Sequence, residues 1–304
     1  MTWEIFLLVL MSAALHPFRD ILLKGLYAPG LCYLSISLFW MLFATGHALV
    51  TDAPLFLPID YIPQVFGSAI GLFAYYYGTL LTLEKGDISV YYPIIRSSPI
   101  FVVLVGWILL DHSYSIILLL GIATVLSGVF LIQRQAIPKD HTKPKKLVAE
   151  PKLLLIALIA MSGSGIYSLV DASAMQASSA PQIPDLELST FLIWVYALLT
   201  MIFWITFSIK TQSYMPLGKQ IGTIWKQHPW RILSASTLSY LSYIFILEAY
   251  DRGANVAAVT SLRLGSIPLG VILSALLLSE QNLTKRLLSS CIIVAGILII
   301  IVDG

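Results

Sequence analysis

Two segments decide how this chain is read: EKGDISVYYPIIR at 84–96 and DRGANVAAVTSLR at 251–263. Each opens on an acid, a base and a glycine, and after nine further residues each places an arginine, Arg96 or Arg263, inside an apolar run. Only 11% of the chain is charged, so the same charged pattern arising twice at one spacing points to internal duplication. The offset between the segments also pairs Tyr76 with Tyr243 and Phe73 with Tyr240. A proline follows each arginine (Pro99, Pro268), and an acid lies twelve residues past each proline (Asp111, Glu280). The copies have diverged, since RSSP in the first corresponds to the longer RLGSIP in the second. Met11-Ser12 leading to Asp20 is matched loosely by Met161-Ser162 leading to Asp171.

The surrounding composition is that of a membrane protein. Of 304 residues 58% are hydrophobic, and the mean hydropathy is +0.87; a soluble domain carries about 25% charged residues. Apolar runs fall near 4–23, 31–50, 61–82, 87–110, 114–133, 153–171, 189–208, 232–250, 254–278 and 284–302. Each is long enough to cross a hydrocarbon core of about 30 Å as a helix. The expected fold is therefore all-α, with ten transmembrane helices. The first run has no basic residue ahead of it and is interrupted by HPFRD at 16–20, so it reads as a span and not as a cleaved signal. Cys32 and Cys291 show no metal or disulfide spacing and read as small core residues.

The basic residues give an orientation. With ten spans, fourteen of the 18 Lys and Arg fall in loops on one side and Arg252 alone on the other. The positive-inside tendency makes the first side cytoplasmic and puts both termini outside. The expected location is the cell inner (plasma) membrane. The basic stretch 134–152 divides a first unit, 1–133, from a second, 153–304. It reads as a solvated cytoplasmic linker, with no nucleic acid expected as a partner. Because each unit holds five spans, an odd number, the second enters the membrane inverted relative to the first. In transporters this plan places the substrate site near mid-membrane, between the repeats.

Arg96 and Arg263 lie about 15 Å along their helices, near the middle of the bilayer. An arginine there costs roughly 2.5–3.5 kcal/mol on insertion scales unless it finds a partner or a wet cavity. Asp20 is expected near the cytoplasmic end of its helix, and Asp171 and Glu248 toward the outer ends of theirs, which leaves the centre cationic. Guanidinium forks suit carboxylate or phosphate oxygens, so an anionic ligand is expected between the arginines; binding to backbone carbonyls freed by prolines is the structural alternative. The site residues expected around the ligand are Arg96, Arg263, His16, Tyr92, Thr260, Tyr76 and Tyr243. Arg19 and Asp20 are adjacent and so point apart, one toward the cavity and one toward the cytoplasmic mouth, in a gating or proton-coupling role. Pro17, Pro93, Pro99 and Pro268 are expected to mark bends. The small residues in GSAIG (67–71) and MSGSG (161–165) are expected as close-packing seams within the monomer, although a homodimer fits as well.

The helices written KGDISVYYPIIRSSPIFVVLVGWILLD and RGANVAAVTSLRLGSIPLGVILSALLLSE carry a family likeness. Each has a small-residue entry, a mid-helix proline and a closing acid, followed by a span with a late glycine, Gly128 or Gly296. In this the chain resembles the drug/metabolite transporter superfamily, and within it the EamA-like branch, along essentially its whole length. The resemblance implies two EamA-like five-helix repeats and alternating-access transport. The arginine in the middle of both repeated helices departs from the family pattern. The expected substrate is a small organic anion or zwitterionic metabolite, with a coupling ion possible. No phosphate-binding loop, metal-ligand cluster or HExxH occurs, so no enzyme activity, metal or cofactor is expected. A drug or cation exporter of the same superfamily is the alternative, and a membrane-embedded lipid-phosphate enzyme a more distant one.

Overall fold

The computed structural model describes residues 2–23, 26, 28–85, 88–135, 150–177, 185–210, 216–278 and 283–303. Among these residues every regular element is helical. In chain order they are α1 (Trp3–Leu23), α2 (Pro29–Val50), α3 (Ile62–Lys85), α4 (Ile88–Arg96), α5 (Ser98–Leu109), α6 (Ile116–Gln135) and α7 (Pro151–Ala177). There follow α8 (Leu188–Lys210), α9 (Leu217–Gln227), α10 (Pro229–Asp251), α11 (Val256–Leu262), α12 (Ser266–Leu278) and α13 (Leu283–Asp303). Eight apolar helical stretches among the described residues are long enough to cross a membrane, one of them, Val90–Leu109, running through the α4–α5 junction; two shorter ones, Ile116–Ile132 within α6 and Val256–Ile272 through α11 and α12, accompany them. Large apolar side chains such as Trp107, Ile209 and Val302 stand exposed around the outside. This is the make-up of an all-α, multi-pass membrane protein, whose outer surface is suited to lipid and not to water.

The helices pack in pairs across the two halves of the chain: α3 on α7, α1 on α10, α2 on α8 and α6 on α13. Lipid offers no hydrophobic drive for helix association, so small residues that let backbones approach are what hold such pairs. The glycine runs supply them. A Cβ on Gly163 would lie 2.7 Å from the Gly71 carbonyl oxygen, and one on Gly71 would lie 2.8 Å from the Tyr167 amide nitrogen. On the other side of the bundle, a Cβ on Gly296 would meet the Val125 amide nitrogen at 2.6 Å, and one on Gly128 the Ile293 amide nitrogen at 2.9 Å. The 67–71 and 161–165 segments are thus spent on the α3–α7 seam inside one chain.

The sequence predicts two continuous helices at 87–110 and 254–278, and here the structure differs. The first is broken at Ser97 into α4 and α5, and the second is broken by a 3-10 turn, Arg263–Gly265, between α11 and α12. The breaks fall just ahead of Pro99 and Pro268, each of which lacks the N–H that would bond four residues back, to Ile95 and Leu264. Pro93 stays inside α4. α1 runs unbroken through position 17, although the side chains of Pro17 and Asp20 lie outside the described residues. So does the greater part of the linker at 134–152 (136–149), together with Glu280.

Two local signals fix the start of α11. Gly253 takes φ of +80°, and the amides of Gly253 and Ala254 bond back to the Tyr250 and Ala249 carbonyls, a Schellman stop for α10. Asn255 then caps α11, its side-chain oxygen accepting from the amides of Ala257 (2.9 Å) and Ala258 (3.2 Å). α9 lies in a region read from sequence as loop. It buries Leu217, Ile221 and Ile224 and exposes Lys219, Lys226 and Gln227, as a helix lying along an interface would.

Candidate functional site

The two helix breaks bring polar groups to the middle of the bundle. Arg96 is the last residue of α4, where the unsatisfied carbonyls of a helix C-terminus favour a cation. Its guanidinium lies over the ring of Tyr92, one turn earlier, at 4.9 Å from the centroid. Arg263 stands in the corresponding break and donates from Nη1 to the Tyr167 hydroxyl at 2.9 Å. A third arginine joins them from α1. Arg19, only 3% exposed, donates to the Tyr76 hydroxyl at 3.3 Å, and its Nη2 lies 3.5 Å from His16 Nε2.

These side chains line three adjoining voids. A wide chamber of about 980 Å³ runs between α1, α2, α3, α4 and α8. Its mouth carries Glu84, Lys210 and Gln220, and its inner end carries Arg19, Tyr76, Tyr92 and Arg96. Beyond it a cavity of about 30 Å³ is lined by His16, Arg96, Ser98, Tyr167, Thr260 and Arg263. Another of about 10 Å³ is lined by His16, Arg19, Tyr76, Tyr196, Tyr243 and Arg263. Drug-sized ligands need roughly 300–1,000 Å³. The chamber meets that, whereas the inner cavities hold little more than a water each. A further groove of about 500 Å³ beside Phe56, Trp194 and Met201 is apolar and has no charged lining, so it offers nothing to orient a polar ligand.

All seven predicted ligand residues therefore border one or another of these voids, as does Arg19. Thr260 spends its hydroxyl hydrogen on the backbone of its own helix, at the Val256 (2.8 Å) and Ala257 (3.2 Å) carbonyls, and faces the cavity as an acceptor. Sequence reasoning missed Tyr75, Tyr167 and Ser98. Tyr75 adjoins the selected Tyr76, and Tyr167 lies one helical turn before Asp171 on α7. That spacing puts Tyr167 and Asp171 on one face, and it was the available signal.

One acid is more enclosed than the sequence suggests. Asp171, expected toward the outer end of its helix, is fully buried and accepts a hydrogen bond from the Tyr243 hydroxyl. Arg263 makes no ion pair among the described residues. Glu248 does reach a surface, where it joins a clasp between α10 and α1. Arg252 bonds Glu248 Oε1 at 2.8 Å and Glu4 Oε2 at 2.9 Å. The hydrogen bond to Glu248, then the field of that carboxylate, raises Arg252 above the usual arginine value. The α1–α10 contact is continued inward by the Ser12 and Ser242 hydroxyls, 2.9 Å apart.

No family model matches the chain, and no curated protein does. The chain is similar to a solved structure described only as "Crystal structure of protein", with a TM-score of 0.72 over 98% of this chain and 96% of that one. At 14% identity, this is a likeness of fold alone.

Proposed function

We propose that the protein is a secondary transporter that moves a small organic anion or zwitterionic metabolite by alternating access, as the resemblance to EamA-like drug/metabolite transporters implies. One observation carries the reading: Arg19 and Arg96 line the inner end of a chamber large enough for a metabolite, and Arg263 joins each of them in the small cavities just beyond it. Ten spans in two inverted repeats are part of the proposal. The eight long helices and the two shorter ones coincide with the ten apolar runs. The packing pairs also survive exchange of the halves: α3 on α7 corresponds to α1 on α10, while α2–α8 and α6–α13 map onto themselves. Helices broken at corresponding arginines fit a site between repeats, because half-helix ends supply charge without a side chain.

By the positive-inside tendency the chamber mouth, lined by Lys210 and Gln220, faces the cytoplasm, and the Glu4–Arg252–Glu248 clasp closes the outer face. The conformation is then inward-open. A cation exporter would be served by a carboxylate deep in the cavity wall, but Glu84, the acid among the described lining residues, stands at the chamber mouth, and Asp171 lies behind Tyr243 and lines none of the three voids.

The test is uptake into proteoliposomes across phosphorylated metabolites, dicarboxylates, amino acids and cationic dyes, for the native protein, Arg96→Gln and Arg263→Gln. Uptake of an anion that falls at least tenfold in each variant is expected, since a charge-assisted hydrogen bond is worth about 1.5–3 kcal/mol. Uptake of cations alone would overturn the reading.

A further inference from the structure

The carboxylate of Asp171 has no role in the site described so far, and its surroundings are unusual. It is 0% exposed; Oδ2 accepts from Tyr243, and Oδ1 has no hydrogen-bond partner. The Ser68 hydroxyl faces it from α3 without completing a hydrogen bond. The other titratable or charged groups around it are Tyr243 and Tyr250 from α10, Tyr196 from α8, Tyr167 on α7 itself and Arg263 from the turn after α11. Arg263 is the one cation among them, and it is engaged with Tyr167.

A buried carboxylate without an ion pair is costly when ionised, and binding one proton removes that cost. Tyr243 supplies the route. Its hydroxyl bonds the carboxylate while its side chain lines the cavity shared with His16, Arg19 and Arg263. Tyr167 supplies the link to the ligand. It lies one turn from Asp171 on the same face of α7, and its ring centroid is 6.2 Å from that of Tyr243. Arg263, held at the Tyr167 hydroxyl, is close enough for its charge to act on Asp171, so an ionised carboxylate competes for the guanidinium.

We propose that Asp171 is a proton-binding site, and that its protonation is coupled to anion binding through competition for Arg263. The proposal rests on the anion reading above and names its coupling ion. With the proton in place, Arg263 is released to the anion; with the proton gone, the carboxylate draws Arg263 away and the anion leaves. The two ligands then favour one another reciprocally, as proton–anion symport requires.

The experiment uses the full chain in lipid nanodiscs, with sulfate and succinate as probes at a pH where neither carries a titratable proton of its own. Calorimetry in buffers of different ionisation enthalpy reads proton uptake on binding. At pH values where Asp171 is ionised before binding, one proton per anion is expected in the native protein, with affinity falling about tenfold per pH unit there, and below that range no proton is taken up. Asp171→Asn is expected to bind both anions with no proton uptake and no such pH dependence. Proton uptake that persists in Asp171→Asn, or that disappears in His16→Gln instead, overturns the assignment, as does anion binding by the native protein with no proton uptake at any pH across the titration. Infrared spectroscopy without ligand keeps the test independent of substrate. A protonated-carboxyl band that is lost in Asp171→Asn and displaced in Tyr243→Phe supports the proton site even if neither anion binds, in which case the anion reading alone fails. Absence of that band across the titration overturns the proton site.

Discussion

At the residue scale, the site is organised by tyrosines as much as by arginines. Tyr167, Tyr76 and Tyr92 each hold one guanidinium, by hydroxyl or by ring face. For Arg263 the hydroxyl partner orients the cation without neutralising it, so its positive charge stays available to a ligand. Tyr167→Phe keeps the ring and removes the acceptor. It is expected to weaken anion binding by roughly threefold to tenfold, the scale of one hydrogen bond, with little change in folding, as read by titration calorimetry beside thermal unfolding. Asn255→Ala is a structural counterpart. Loss of the two bonds that begin α11 is expected to cost about 1 kcal/mol of stability, measured by denaturant unfolding in detergent. The arginines were legible in the sequence because charge is rare in this chain. Of their tyrosine partners, Tyr76 and Tyr92 were singled out but Tyr167 was not, because the chain carries 15 tyrosines and only the fold shows which of them turn inward.

At the scale of elements, the apolar runs locate the long helices to within a few residues: 189–208 emerges as Leu188–Lys210 and 232–250 as Pro229–Asp251. Hydropathy carries that information because length and apolarity are what a span requires. It does not show where a span breaks. The prolines were read as bends, yet at Ser97 and at Arg263–Gly265 the backbone restarts as a new helix, which depends on how the neighbours take up the freed carbonyls. α9 was legible in principle, from Leu217, Ile221 and Ile224 at helical spacing, but LGKQIGTIWKQ is short and its polar face dominates. The glycines separate two situations. Gly163→Leu would drive a side chain into the α3 backbone and is expected to lower stability by roughly 1–3 kcal/mol or to prevent assembly. Gly222→Ala in α9, where a Cβ would meet nothing within 4 Å, is expected to be neutral or to stabilise by about 0.5–1 kcal/mol. Thermal unfolding followed by tryptophan fluorescence compares the two directly.

At the scale of the whole molecule, burial is graded from centre to rim. The Pro229–Asp251 span is 56% buried and the Lys285–Val302 span 28%, so α10 is the interior helix and α13 faces outward. α10 carries both Tyr243, beside the arginines, and the Glu248–Arg252 end of the clasp, so one helix touches the central cavity and the surface clasp together. The clasp stands at the surface, with Arg252 side-chain exposure at 43% and Glu4 at 73%. Ion pairs in water are weakened by dissolved electrolyte, which acts over about 8 Å at physiological strength, whereas the serine and tyrosine contacts beneath them are not. Raising the electrolyte on that face alone should therefore loosen the outer closure and leave the opposite mouth untouched. In oriented vesicles this becomes a one-sided, concentration-dependent change in exchange rate that Arg252→Gln abolishes. On the transporter reading, the medium bathing that face would then set the tempo of the cycle.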